Sequence, residues 1–128
     1  MADKPYTQFF DNIEQVDIFA RGLYYLSAID GVDDTELDVI REFLTDMGEP
    51  ELMETLTKVP FDVRMLALAL TTRHERELFL KSAIVLIRAD GIITDEERGA
   101  LREVCDAFGW ESDELEDIES RLQGGTVF

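Results

Sequence analysis

Arg88-Ala89-Asp90-Gly91-Ile92-Ile93-Thr94-Asp95-Glu96-Glu97 is the stretch whose reading decides the fold. An apolar helical run leads into it and an amphipathic helical run leaves it. Asp-Gly is turn chemistry, because glycine takes the left-handed backbone that stops a helix. Thr94 and Glu97 have the spacing of a capping box. The hydroxyl accepts from an early helical N–H, and the carboxylate reaches back to the cap. A shorter version stands upstream at Ala28-Ile29-Asp30-Gly31-Val32-Asp33-Asp34-Thr35-Glu36, with Asp33 as cap and Glu36 as its partner. Both read as helix, acidic hinge, helix.

Working outward, Asp11 or Asn12 caps a helix from about Ile13 to Ile29, with Val16, Phe19, Ala20, Leu23 and Leu26 on one face. Phe9 and Phe10 anchor the arm before it. A helix from Asp33 or Asp34 carries Leu37, Ile40, Phe43, Leu44 and Met47 and stops at Gly48. Glu49-Pro50 opens a short helix, and Phe61–Leu70 is another. Thr71–Arg76 reads as a polar joint before a helix from Glu77 to Ala89, with Leu78 and Phe79 among its core candidates. Two more follow, Asp95–Phe108 and one from Ser112 or Asp113, before a frayed tail. No segment alternates for long enough to make a strand, so the prediction is all-α: one compact bundle of about seven helices.

The halves also align. A shift of 60 residues places Phe19 on Phe79, Leu26 on Leu86 and Asp30-Gly31 on Asp90-Gly91. Beyond the hinge the shift is 61, which places Glu36 on Glu97, Ile40 on Leu101 and Gly48 on Gly109. This predicts a duplicated helical hairpin, with repeat halves at about 13–58 and 73–122. Each hairpin has an apolar face that it buries against the other.

Charge restricts the partners. Twelve Lys and Arg stand against 29 Asp and Glu, a net charge of -17. That field repels phosphate backbones and anionic membranes, so no nucleic acid and no membrane insertion are expected. Cations or proteins with a basic surface suit it. One cysteine, Cys105, and an N-terminus without a signal pattern fit a cytoplasmic protein.

Two chemistries compete for the hinges. Asp30, Asp33, Asp34 and Glu36, with Asp90, Thr94, Asp95 and Glu97, offer the oxygen ligands that Ca²⁺ or Mg²⁺ takes. Alternatively they only cap helices and complement the helix dipoles. An EF-hand fails in its first half, where Leu86 and Arg88 occupy ligand positions. His74 reads as solvated surface, Cys105 as a buried thiol and Trp110 as a lid on the core. No phosphate loop, nucleophile elbow or zinc spacing is present, so no enzyme is expected.

The run Ala89-Asp90-Gly91-x-Ile93-Thr94-x-x-Glu97, between an apolar and an amphipathic helix, resembles the tellurite-resistance TerB family and the N-terminal domain of DjlA-type co-chaperones. The resemblance implies an all-helical bundle with a duplicated hairpin in a bacterial cytoplasmic protein linked to metal or chemical stress. It also implies metal ligation by Asp90 and Glu97, then Asp30 and Glu36. The first hinge departs from the pattern: it is one residue shorter and has Asp33 where Ile93 aligns. The functional expectation is a non-enzymatic binding protein with a divalent cation at its hinges. The alternative is a metal-free adaptor whose acidic surface binds a basic partner.

Overall fold

The structure, a computed structural model, describes residues 9–31, 34–58, 60–88, 93–111 and 113–123. Among them are six α-helices, two 3₁₀ segments and no strand, so the chain is an all-α bundle. The helices are α1 (Ile13–Ser27), α2 (Asp34–Asp46), α3 (Arg64–Ala69), α4 (Arg73–Arg88), α5 (Asp95–Ala107) and α6 (Asp113–Gln123). The 3₁₀ segments are Ala28–Asp30 and Pro50–Thr55.

Helix α1 is the hub, packing against α2, α3, α4 and α5. Asn12 caps it, its Oδ1 accepting from the Gln15 N–H at 3.0 Å. Phe19 is its central anchor. That ring stacks on Phe43 at 5.1 Å and meets Phe10 and Phe79 edge-on, each at 5.2 Å. Offset and edge-on pairs suit the aromatic quadrupole and add to the gain from burial. One turn on, Gly22 lets α1 close on its neighbours. A Cβ there would lie 2.8 Å from the Phe79 ring and 3.0 Å from Leu66 Cδ2. The helix keeps a residue of poor propensity because the packing leaves no room for another.

Three expected glycine stops lie among the described residues, and the fourth, Gly91, lies outside them. Gly31, Gly48 and Gly109 have φ of 91°, 81° and 75°. After α5, the Trp110 N–H donates to Cys105 O at 2.9 Å and the Gly109 N–H to Asp106 O at 3.0 Å, closing the helix end. Ion pairs Arg98–Glu119 and Arg102–Glu116 join α5 to α6, and Arg73–Glu114 joins α4 to α6.

The boundaries differ most from the sequence reading at α3 and α4. Helix α3 starts at Arg64, not Phe61, because the Asp62 carboxylate accepts the Arg64 N–H at 2.8 Å and fixes a turn there. It ends at Ala69, with Leu70 in extended backbone. Helix α4 starts at Arg73, not Glu77, and much of the expected polar joint is its first turn. Thr72 and Glu75 form a capping box there, the Glu75 N–H donating to Thr72 Oγ1 at 3.1 Å and the Thr72 N–H to Glu75 Oε1 at 3.2 Å.

Candidate functional site

The hinge carboxylates divide into distinct roles. Asp33 and Asp90 lie outside the described residues. Asp30 ends the 3₁₀ segment that follows α1, and this segment packs on α5. Asp34 and Asp95 are the first residues of α2 and α5 and are exposed. Glu36 and Glu97 are buried. Thr94 and Glu97 form the expected capping box. The Glu97 N–H donates to Thr94 Oγ1 at 3.1 Å, and the Thr94 N–H donates to Glu97 Oε1 at 2.9 Å.

That geometry bears on cation binding. A ligand set at the second hinge would take oxygens that Thr94 and Glu97 give to the backbone of α5. Among the described residues, no three His, Cys, Asp or Glu side chains stand together in the way a metal ion needs. One turn before Asp30, the Ser27 hydroxyl is buried and has no hydrogen-bond partner among the described residues.

An apolar concavity lies elsewhere. Helices α2 and α4 both pack on α1, and between them lies a trough floored by Phe19 and Leu23. One end is a cavity of about 500 Å³ walled by Phe9, Phe43, Met47 and Leu78. A second of about 260 Å³ adjoins it between Val39, Val85 and Leu86. Phe19, Phe43 and Ser82 are common to both. Among the described residues, the only polar side chains in the lining are those of Ser82 and His74. Phe9 is 50% exposed, Val39 43% and Val85 41%.

The sequence reading placed Leu78, Phe43 and Met47 in the core and Phe9 as an anchor upon it. The first three are half-buried and Phe9 is half-exposed, because no described element crosses the trough to cover them. Phe10, the other expected anchor, is 3% exposed.

The trough has two unlike edges. Glu42 and Asp46 are exposed one turn apart on α2, on the outer side of Phe43. Lys81 and Arg88 occupy the matching outer side of α4. None of these four takes part in an ion pair among the described residues.

Two other residues are structural. Burial, aided by Asp106, pushes the Cys105 thiol up to about 11, so it stays protonated at neutral pH. Trp110 packs on Phe108 at 5.3 Å with the Arg73 guanidinium 4.9 Å above its ring. Among the described residues, no helix is long and apolar enough to cross a membrane. Comparison with family models, curated proteins and solved structures finds no match to this chain.

Proposed function

We propose that the chain is a non-enzymatic, TerB-like interaction module that binds a basic protein partner, in a bacterial cytoplasmic stress system. The observation that carries the reading is the apolar trough between α2 and α4, beside an acidic edge in a chain of net charge -17. Apolar surface of this size, rimmed by charge, is characteristic of recognition sites. The long-range field steers a basic partner toward it. The test is affinity capture from source-cell lysate with the intact chain and with the Val39→Glu/Val85→Glu variant. Both positions are exposed, so the fold should tolerate the change. The expected result is a protein retained by the intact chain, lost with the variant and released by high salt. Retention of the same proteins by both chains would defeat the reading.

A divalent-cation site at the hinges is the second reading. It is favoured by the exposed first-turn carboxylates Asp34 and Asp95 and by the buried Ser27 hydroxyl, one turn before Asp30 in the chain, which has no partner among the described residues. The capping role makes its own prediction. Thr94→Ala should lower stability by about 1 kcal/mol, equally with and without millimolar Ca²⁺ or Mg²⁺. A rise in Tm with either ion, beyond a matched ionic-strength control and removed by Asp95→Asn, would restore the cation reading.

A further inference from the structure

We propose that the trough receives one short amphipathic α-helix of the partner, with Lys or Arg along the flank over α2. Acidic or neutral residues then lie along the flank over α4. The inference rests on the interaction reading above and assigns its ligand.

Three observations select a helix. The first is length. Val39 to Met47 on α2 and His74 to Val85 on α4 span about 12 and 17 Å at a rise of 1.5 Å per residue, room for about two to three helical turns. The second is polarity. An extended peptide needs partners for its N–H and C=O groups, and among the described residues the lining offers only Ser82 and His74. A helix satisfies its backbone internally and presents apolar anchors at i, i+3 or i+4, and i+7. The third is shape. Two adjoining apolar cavities share Phe43 and the small Ser82 in their linings, which suits successive anchors on one helix face.

Charge then sets the orientation. Glu42 and Asp46 face one flank of the bound helix, and Lys81 and Arg88 face the other. Because the edges differ in sign, a helix with one basic flank binds in one direction only. A second copy of this chain is disfavoured, since each brings the same net charge of -17.

The experiment uses the full chain and a fluorescent 14-residue peptide with leucines at positions 4, 8 and 11, lysines on one flank and glutamates on the other. A scrambled peptide of the same composition is the control. Anisotropy titration at low salt should show the striped peptide binding at least about tenfold tighter than the scramble. Val39→Glu/Val85→Glu should remove that advantage, and Glu42→Lys/Asp46→Lys should weaken binding several-fold. Circular dichroism on each variant checks that the helices persist.

Equal binding of both peptides, or unchanged binding by Val39→Glu/Val85→Glu, would overturn the proposal. So would sedimentation showing dimers that this variant dissolves, or striped-peptide binding that appears only after removal of residues 1–8. Partners captured through the trough without affinity for the striped helix would sink the helix assignment and leave the interaction module standing. Capture and peptide binding that both ignore the trough would sink the two together.

Discussion

Glu75→Ala is expected to lower the unfolding free energy by about 3 kcal/mol. The carboxylate is buried, and its contacts show why. Oε1 accepts the N–H groups of Thr71 and Thr72 at 3.1 and 3.2 Å, and Oε2 accepts from Gln15 Nε2 at 3.2 Å. The Gln15 amide also donates to Ala69 O at 2.8 Å, and its Oε1 accepts the Asp11 N–H at 2.6 Å. One short network therefore joins the start of α1, the end of α3 and the start of α4. Alanine at 75 leaves two backbone donors and one amide without their acceptor. Hydrogen bonds to a charged group contribute about 1.5–3 kcal/mol each, and partial access of water reduces the sum. Glu75→Gln keeps an acceptor oxygen and should cost about 1 kcal/mol. Urea unfolding with an unchanged slope would measure both. A loss for Glu75→Ala no larger than for an exposed glutamate such as Glu96 would show that the network carries little stability.

The second large loss is expected at Arg76. Its Nε donates to Leu70 O at 2.6 Å, Nη2 to Ala67 O at 3.0 Å and Nη1 to Phe108 O at 3.2 Å. The guanidinium also lies 4.9 Å above the Phe108 ring. These carbonyls belong to the C-terminal ends of α3 and α5, which lack intrahelical donors and carry the negative end of the dipole. Arg76→Ala should cost about 3 kcal/mol, and Arg76→Lys should recover less than half of it. A lysine ammonium is a point charge and cannot span three acceptors fixed in a fork. The readout is denaturant unfolding at low and high salt. The loss should persist at high salt, because the acceptors are carbonyls at contact distance and not distant charges. Full rescue by lysine would show that charge alone mattered.

What the sequence disclosed follows from where its signals sit. Helix stops were legible because Gly31, Gly48 and Gly109 each follow an apolar run and take positive φ. Thr94 was legible as a cap because an acidic hinge precedes it and apolar periodicity follows. Thr72-x-x-Glu75 has the same spacing and was passed over. Arg73, His74, Glu75 and Arg76 give no apolar residue until Leu78, so the first turn of α4 looked like a linker. The structure shows why the turn is polar: Glu75 accepts from the backbone just before α4 and from the Gln15 amide of α1, and Arg76 donates to carbonyls at the ends of α3 and α5. The trough was illegible for a different reason. Periodicity identifies the apolar side of a helix but not whether another element reaches it. Phe43, Met47 and Leu78 therefore read as core, though all three are only half-buried.

The lone thiol on the inward face of α5 gives this chain a native clock. A protonated, enclosed sulfur reacts with a maleimide or disulfide reagent only in molecules that have opened far enough to release it. The modification rate thus counts excursions from the folded ensemble, with no engineered label and no second cysteine to confuse the count. Run on the weakened variants, it separates local loosening of the fifth helix from collapse of the whole bundle.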